Sequence, residues 1–542
     1  MPSSDAPASG SPTLPSPEVW HAASRLSETL HARLGRQPQA EPDEATLARP
    51  LHLAVGAVAA QAPDAIAATD GTVSVTYGEL WQRAQSWAAR IRAAEPPPGP
   101  LALLLPADPF YAAGLLGCLI AGYPCLPLDP ANPSARIQAI LQSAGLGVVV
   151  TRGTAKAGID GMHVIDLDGA PVVEAFPSAP VDPDAPALLV ATSGSTGTPK
   201  LVVHSHRTIT HRSWMRMQSG RVSAQDRYYF GAGSVTSIAD IAHVMSAMLS
   251  GASVILIDLA RVGIRVFLDR VAQLQPTIIR CGISLMRTLL TSPNAAASLR
   301  SVRLVRLTGE QLFKADIQRL REILPTGCEI VTGYTSTEMA GHFGWVVLDD
   351  DPTDPMRVPA AGIESARDLV ILNETRMACA TGEVGEILVR SQYNALGEWI
   401  DGRCVPGRLV PDPDDPSQRI YASGDLGYRG ETGAVVIVGR ADRQLKVNGV
   451  RIDPSETEAV LRRQPGIRDA VVLARQFGET PSLVAFVVGD DPGLDVLALR
   501  ARLRRELPSP LLPSRITVLE RFPRLPNGKV DGVTLLADVT DR

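Results

Sequence analysis

The chain has 542 residues, more than one hydrophobic core usually supports, so the sequence predicts at least two domains. Hydrophobic residues make up 45% and charged residues 20%, which is the composition of an ordinary globular protein. The formal net charge of −5 argues against nucleic acid as the main partner, because binding to a phosphate backbone needs a basic excess. Six cysteines without a Cys-x-x-Cys pair are typical of reduced thiols and favour a cytoplasmic protein.

Residues 1–50 are rich in Ser, Pro, Ala and Glu and contain no apolar segment typical of a secretory signal. Leucines at a spacing of four residues allow one short helix around Leu30. We expect this segment to be a flexible extension unless it docks on the body, and we assign it no chemistry.

From Leu51 onward, helical segments alternate with short apolar runs, which predicts an α/β fold with a largely parallel sheet. The uncharged segment Phe110–Leu128 is interrupted by glycines and prolines, which favours a buried helix followed by a buried strand over a membrane span. The clearest other elements are a helix at Tyr77–Ala94 and strands at Leu101–Leu105, Gly147–Thr151, Leu188–Ala191 and Ala252–Ile257.

The most informative segment is Leu188–Lys200, an apolar run followed by a loop of Ser, Thr and Gly that a lysine closes. Small side chains and many N–H and hydroxyl donors suit a loop around phosphate oxygens, although such a cluster alone is more often a solvated turn. It departs from the P-loop of NTPases, because Lys200 follows a proline and does not open a helix. The predicted nucleotide contacts from this loop are Thr192, Ser193, Gly194, Ser195, Thr196, Gly197 and Lys200.

The segment HSHRTITH, which follows this loop, contains His204, His206 and His211. No His-x-x-x-His pair or carboxylate accompanies them at the spacing of metal ligands. We therefore predict a helix at the surface or at the rim of a pocket, without a metal.

Five further clusters follow in chain order. LTGE at Leu307–Glu310 places a glycine and a carboxylate at the end of an apolar strand, where ligands are commonly met. GYTSTE at Gly333–Glu338 offers an aromatic ring, small hydroxyls and an acid. The remaining three are SGDLG at Ser423–Gly427, GRAD at Gly439–Asp442 and PNGKVD at Pro526–Asp531.

These clusters contain the residue types that one bound nucleotide requires. Glu338 is a hard oxygen ligand for a Mg²⁺ ion that bridges phosphates. Asp425, with Arg440 as a second donor, suits a ribose diol, and the ring of Tyr334 suits an adenine face. Lys529 would neutralise the charge that develops as a carboxylate joins an α-phosphate. Taken singly, each is also compatible with a turn, core or solvated residue; together they predict one active site.

The motifs, in this order, resemble the ANL superfamily of adenylate-forming enzymes, and especially the adenylation domains of nonribosomal peptide synthetases. The resemblance spans about residues 51–535 and includes TYGEL at 76–80 and AGYPCLPLDPANPSAR at 121–136. It implies a large N-terminal domain of several subdomains at 51–441 and a smaller, mobile α+β domain at 442–542. The hinge between them would lie near Asp442.

The resemblance also implies ATP, Mg²⁺ and a two-step reaction at one site. A substrate carboxylate attacks the α-phosphorus of ATP, and we assign this step to Lys529 with Glu338 and Thr337. A pantetheine thiol, carried in trans by an acyl or peptidyl carrier protein, then takes the acyl group. The further nucleotide contacts that the resemblance implies are Gly309, Glu310, Tyr334, Thr335, Asp425 and Arg440.

Two other functions stay open at this point. A ligase that delivers the acyl group to free coenzyme A has the same motifs. A non-catalytic protein that binds a nucleotide or a partner is the alternative of another class, although the intact lysine and phosphate-loop motifs argue against it. No carrier-protein or condensation motif is present, so we expect a free-standing activating enzyme.

The segment Tyr228–Gly251 shapes the acyl pocket in this family. Amino-acid-activating relatives usually have F-D-x-S there, whereas this chain has FGAG at 230–233, which weakens an α-amino-acid assignment. If Asp240 supplies the missing carboxylate, an α- or β-amino acid remains possible; otherwise small and apolar residues favour an uncharged carboxylic acid. The predicted pocket residues are Phe230, Ser237, Asp240 and Ile241.

Overall fold

A computed structural model gives the conformation of most of the chain. It describes residues 15, 17–20, 40–153, 159–173, 175–192, 199–231, 235–257, 259–290, 292–309, 312–340, 343–348, 354, 357–361, 368–441, 445–447, 450–452, 454–477, 480–489, 494–507, 511–524 and 530–537.

The described elements are numbered in chain order. The strands are β1 (Ile66–Thr69), β2 (Ser74–Thr76), β3 (Leu101–Leu104), β4 (Cys125–Leu128), β5 (Val148–Thr151), β6 (His163–Asp166), β7 (Pro186–Thr192), β8 (Lys200–Ser205), β9 (Arg227–Gly231), β10 (Ser253–Leu256), β11 (Ile278–Gly282), β12 (Leu304–Thr308), β13 (Glu329–Tyr334), β14 (Phe343–Val346), β15 (Asp368–Leu372), β16 (Gly385–Ser391), β17 (Gly397–Ile400), β18 (Arg403–Val405), β19 (Leu409–Pro411), β20 (Arg419–Arg429), β21 (Val435–Arg440), β22 (Leu445–Val447), β23 (Val450–Ile452), β24 (Ile467–Phe477), β25 (Thr480–Gly489) and β26 (Arg515–Leu519). The helices are α1 (Glu44–Ala48), α2 (Leu51–Gln61), α3 (Tyr77–Ala93), α4 (Tyr111–Ile120), α5 (Ser134–Ala144), α6 (His206–Ser219), α7 (Ile238–Leu249), α8 (Leu259–Leu274), α9 (Ile283–Leu290), α10 (Ala295–Ser298), α11 (Lys314–Ile323), α12 (Pro454–Arg462), α13 (Val496–Glu506) and α14 (Gly532–Ala537).

Two eight-stranded sheets, both largely parallel, form the body of the N-terminal region. Sheet A has the order β14-β13-β12-β11-β9-β10-β1-β2, and sheet B has the order β18-β17-β8-β7-β4-β3-β5-β6. Side chains from α2, α3, α4, α6 and α7 join both sheets in one hydrophobic core. The predicted α/β fold with a largely parallel sheet is therefore confirmed.

Local sequence signals explain where the central helices begin and end. Helix α3 begins at a capping box, in which the Thr76 hydroxyl accepts from the Glu79 N–H and the Glu79 carboxylate accepts from the Thr76 N–H. Every residue of α4 and β4 is buried, as predicted for Phe110–Leu128. Among the described residues, no helix is long and apolar enough to cross a bilayer.

A third sheet, five-stranded and antiparallel, follows in the chain and includes β15, β16, β19, β20 and β21. The long strand β20 pairs with β16 on one side and with β21 along residues 425–429, which carries the SGDLG and GRAD motifs into one hairpin.

The described part of the N-terminal extension lies against the body. Trp20 is 1% exposed and packs on apolar side chains of the third sheet, with the Arg390 guanidinium 5.0 Å from its ring centroid. Glu44 forms an ion pair with Arg207 at 2.7 Å, and Glu41 contacts His211 at 2.7 Å. Docking, one of the two behaviours allowed by the sequence, thus holds for residues 17–20 and 40–50.

The C-terminal region forms a smaller α+β unit. Strands β24, β25 and β26 make a three-stranded sheet, and α12 and α13 contribute to its core. This unit meets the larger one where the Arg287 guanidinium lies 3.6 Å from the Asp469 carboxylate, and where Arg462 lies over the Phe313 ring.

Candidate active site

Four neighbouring parallel strands of sheet A end at the same edge. Strands β9, β11, β12 and β13 are in register there, with Cys281 opposite Gly231 and Thr308 opposite both Gly282 and Gly333. Ligands of open α/β sheets bind outside the carboxyl ends of such strands. Gly309 continues from β12 at this edge with a φ of 97°, in the left-handed region that glycine adopts without strain. The edge is therefore where the predicted nucleotide motifs meet.

The structure brings three of the predicted nucleotide residues into direct contact. The Tyr334 hydroxyl donates to the Asp425 carboxylate at 2.6 Å, and the Arg440 guanidinium lies 3.0 Å from the other oxygen of the same carboxylate. Asp425 and Arg440 are cross-strand partners in the β20–β21 hairpin. Gly424 has a φ of 71°, and a side chain there would approach the Arg440 guanidinium to 3.3 Å. Backbone geometry thus fixes this carboxylate against its two partners.

Two buried tyrosines of this region, Tyr334 and Tyr421, have raised pKa values. Burial raises the pKa of Tyr421, and the negative charges of Glu338 and Asp425 raise it further. Burial together with the Asp425 carboxylate also holds the pKa of Tyr334 well above its usual value. Both phenols therefore stay protonated, and the Tyr334 hydroxyl is a donor to Asp425.

Strands β7 and β8, which flank the phosphate loop in the chain, are connected to the loop that contains Glu338. Thr192 and Lys200 are cross-strand partners at the ends of β7 and β8, and the Lys200 ammonium lies 3.7 Å from the Glu398 carboxylate. The N–H of Ala395 donates to the Glu338 carbonyl, and the N–H of the next residue, Leu396, donates to Val203 in β8, both at 2.8 Å. This short segment links the Glu338 loop to strand β8 of sheet B.

Thr335 and Thr337 are half-buried in the turn after β13, and the Thr335 hydroxyl accepts from the Arg212 guanidinium at 3.4 Å. Several predicted site residues lie outside the described residues: Ser193, Gly194, Ser195, Thr196 and Gly197 of the phosphate loop, Glu310, the hinge residue Asp442 and Lys529. Their nucleotide, hinge and catalytic roles stay predictions.

The predicted pocket residues lie in β9 and at the start of α7. Phe230 is buried and stacks on Tyr228 with ring centroids 4.7 Å apart. Ser237 caps α7 by accepting from the Asp240 N–H at 3.1 Å, and Ile241 is fully buried in the core. The Asp240 carboxylate forms a buried ion pair with Arg280 and also accepts from the Ser237 hydroxyl.

Sequence reasoning missed the arginines of this region. Arg280 in β11 is 9% exposed and Arg306 in β12 is 1% exposed. A signal was available in the sequence: each of the apolar strands IIRCG and LVRLT has a single arginine in its middle. A charge inside a buried strand needs a partner, so these arginines could have been singled out.

The histidines after the phosphate loop are buried, so their predicted place at the surface is wrong, whereas the predicted helix is present as α6. His204 and His211 have no exposed surface and His206 has 6%. Burial lowers the pKa of His204 to about 3. His211 contacts Glu41 and stacks on Tyr393, which shows that this helix is covered from two sides.

The donor set at Glu338 fits a Mg²⁺ ion bound mainly through phosphates and water. The described residues contain no group of three His, Cys, Asp or Glu side chains that could hold a metal ion by themselves. Mg²⁺ in nucleotide sites is commonly held by one or two carboxylates plus phosphate oxygens, and Glu338 offers one such carboxylate.

Family models match most of the chain. The AMP-binding enzyme model matches residues 56–399, and the model of the AMP-binding enzyme C-terminal domain matches residues 456–529. The chain is 30% identical over 504 residues to isonitrile lipopeptide synthase of Streptomyces coeruleorubidus, covering 89% of this chain and 33% of that protein. Tyrocidine synthase 2 of Brevibacillus parabrevis is 28% identical over 490 residues, covering 87% of this chain and 13% of that protein. The chain thus spans a third or less of these two curated relatives.

Solved structures of similar fold cover almost the whole chain. NpsA of Klebsiella oxytoca, in complex with 3-hydroxyanthranilyl-AMSN, superposes with a TM-score of 0.77 at 20% identity, covering 91% of this chain and 99% of that one. A benzoate CoA ligase from Burkholderia xenovorans superposes with a TM-score of 0.76 at 21% identity, covering 90% and 99%. At these identities the likeness shows the fold alone. The matched family models, together with the motifs gathered at the edge of sheet A, show that the chain belongs to the AMP-binding enzyme family, as an adenylate-forming ligase of the ANL superfamily.

Proposed function

We propose that this protein uses ATP to activate a carboxylic acid or amino acid as an acyl adenylate and then transfers the acyl group to the pantetheine thiol of a carrier protein. The observation that supports this most strongly is the Tyr334–Asp425–Arg440 network at the carboxyl edge of sheet A. A carboxylate fixed in this way is suited to accept hydrogen bonds from a ribose diol.

In the first step, a carboxylate oxygen of the substrate forms a bond to the α-phosphorus of ATP. The bond from this phosphorus to the bridging oxygen breaks, and pyrophosphate leaves with the electron pair. Lys529 and the phosphate loop at 193–197 stabilise the charge on the reacting oxygens, and Thr337 lies on the turn that presents Glu338. Mg²⁺ held by Glu338 would supply further charge neutralisation at the phosphates.

In the second step, the thiolate of pantetheine attacks the acyl carbon, and AMP leaves with its electron pair. One site serves both steps if the C-terminal unit changes its orientation at a hinge, for which Asp442 is our candidate. Between the described parts of the two units, Arg287 and Arg462 make an ion pair and a cation–π contact, and such polar contacts can be exchanged for others when the units move.

Two comparisons bear on the acceptor. The curated relatives are peptide synthases, and an artificially fused adenylation–PCP di-domain protein from Klebsiella oxytoca has the same fold, which favours a carrier protein. The benzoate CoA ligase likeness supports free coenzyme A as the second candidate.

The experiment that tests the proposal compares the two kinds of acceptor in separate reactions. The protein is incubated with ATP, Mg²⁺ and an accepted acid, with either a panel of phosphopantetheinylated carrier proteins or coenzyme A, and the thioester is measured by mass spectrometry. We expect loading of a carrier protein. Rapid loading of coenzyme A together with no loading of any carrier would establish the second candidate instead.

A further inference from the structure

Helix α6 receives the N-terminal extension on one of its faces. The Glu41 carboxylate lies 2.7 Å from His211 Nε2, and the Glu44 carboxylate accepts from the Arg207 guanidinium at 2.7 Å. Arg207 and His211 are four residues apart, so they lie on the same face of the helix. Two separate polar contacts therefore hold the extension to this face.

The contact at His211 continues toward the candidate active site. The imidazole, which has no exposed surface, stacks on the Tyr393 ring with centroids 3.5 Å apart and planes 8° from parallel. A carboxylate bonded to one ring nitrogen fixes the orientation of an imidazole, so Glu41 sets the plane on which Tyr393 packs. Tyr393 is 4% exposed, and its N–H donates to the Ser391 hydroxyl at 3.0 Å. The extension thus helps to place the segment that contains Tyr393.

Two residues further along the chain, this segment contacts the turn after β13. The N–H of Ala395 donates to the Glu338 carbonyl at 2.8 Å. Glu338 is the residue predicted to hold Mg²⁺ at the phosphates of the nucleotide. A displacement of Tyr393 would therefore reach the backbone of Glu338 through a single hydrogen bond.

A second connection joins α6 to the same turn. Arg212, which follows His211 in the helix, is 2% exposed and donates to the Thr335 hydroxyl at 3.4 Å. Thr335 directly follows Tyr334 of the nucleotide motif. Two adjacent residues of α6 thus contact both ends of this turn, Arg212 directly and His211 through the segment of Tyr393.

We propose that Glu41 is a positioning residue of the nucleotide site: by fixing His211 against Tyr393, it holds the turn that presents Glu338 to the phosphates of ATP. The inference rests on the proposed adenylation and assigns part of the geometry of the site to the N-terminal extension. Glu41 acts through these side chains and not by contact with ATP. Its loss therefore weakens the binding of ATP and leaves the reacting groups present.

The neighbouring contact at Glu44 provides a matched control. Glu44 also belongs to the extension and also binds α6, at Arg207, which forms a second ion pair with Asp184 at 2.8 Å. Asp184 lies in the loop before β7, so the side-chain contacts described for Arg207 lead to that loop. Glu44→Ala therefore loosens the extension as Glu41→Ala does, without affecting the connection to Glu338.

The test measures ATP binding in the presence of Mg²⁺ by calorimetry, which needs no knowledge of the acid substrate. Glu41→Ala should raise the Kd of ATP about 5- to 30-fold, the usual range for coupling through intervening residues. Pyrophosphate exchange with an accepted acid should show the same rise in the KM for ATP and little change in the KM for the acid. Glu44→Ala should leave both ATP constants unchanged. Glu41→Gln, which keeps a hydrogen-bonding group at His211, should bind ATP as the unmodified protein does.

A double-mutant cycle tests the route through His211. His211→Phe keeps a ring that can stack on Tyr393 but cannot pair with Glu41, so Glu41→Ala should have no further effect on ATP binding in this background. Full additivity of the two changes would show that Glu41 acts by another route and would overturn the proposal. If His211→Phe does not fold, the comparison of Glu41→Ala with Glu44→Ala decides by itself.

The outcomes separate the two levels of the proposal. Unchanged ATP binding in Glu41→Ala, or an equal loss of ATP binding in Glu44→Ala, would overturn the positioning role and leave the adenylation reaction standing. Lack of both ATP binding and pyrophosphate exchange in the unmodified protein would overturn both.

Discussion

The carboxylate of Asp425 provides the most informative perturbation of the candidate site. Asp425→Asn keeps the shape of the side chain and an oxygen that can accept from Tyr334, but it removes the charge that faces Arg440. A hydrogen bond to a charged group contributes about 1.5–3 kcal/mol. If Asp425 binds the ribose diol, losing its charge should lower kcat/KM for ATP by roughly 10- to 100-fold, because 1.4 kcal/mol is about a factor of ten.

The chain offers a matched control for the structural part of this effect. Asp354 accepts from the Tyr428 hydroxyl at 2.6 Å and lies 3.7 Å from the Arg357 guanidinium, so it has the same kinds of partners without a predicted nucleotide contact. Asp354→Asn should lower thermal stability by a similar amount and leave the KM for ATP unchanged. Acid-dependent ATP–pyrophosphate exchange, measured over a range of ATP concentrations, supplies the readout. An equal rise of the KM for ATP in both variants, or none in Asp425→Asn, would refute the ribose assignment.

Three other predictions concern catalysis, pH and the extension. Lys529→Ala should reduce adenylate formation by about 10²-fold or more, and near-normal pyrophosphate exchange would remove this lysine from its assigned role. His204 has a pKa of about 3 in the folded protein, below its unfolded value of 6.5, so each pH unit below 6.5 should cost up to about 1.4 kcal/mol of stability until pH approaches 3. Scanning calorimetry should then show a shallower fall of the melting temperature in His204→Leu, and parallel curves would exclude the buried imidazole as the cause. Trp20→Ala should destabilise the third sheet by roughly 3–5 kcal/mol, the usual cost of truncating a buried tryptophan, and an unchanged unfolding transition would show that residues 17–20 are not docked.

The fold could be predicted from the sequence where a local signal and burial agree. The helical segment at Tyr77–Ala94 and the uncharged run before Leu128 predicted a helix and a helix–strand unit, and both are present. Tyr334, Asp425 and Arg440 were assigned to one nucleotide although they are distant in the chain, and the structure joins them within hydrogen-bond distance. Motifs with a fixed order thus predicted tertiary proximity that periodicity cannot give.

The acyl pocket and the histidine segment show what the sequence does not reveal. An arginine within an apolar strand indicates burial of a charge, but only strand register shows that Arg280 and Arg306 are neighbours. Likewise, the polar sequence of α6 suggested exposure, whereas its His211 is covered by Glu41 from the N-terminal extension. In both cases, contacts between residues that are distant in the chain decide whether a polar side chain is buried or meets solvent.

The most direct test of adenylate formation follows one oxygen atom. The protein is given ATP and an accepted acid whose carboxylate is labelled with oxygen-18, the acyl group is released with a thiol acceptor or hydroxylamine, and AMP is analysed by mass spectrometry. Attack of the carboxylate on the α-phosphorus predicts AMP that contains one labelled oxygen. Unlabelled AMP, or label in inorganic phosphate with ADP as the product, would contradict the account.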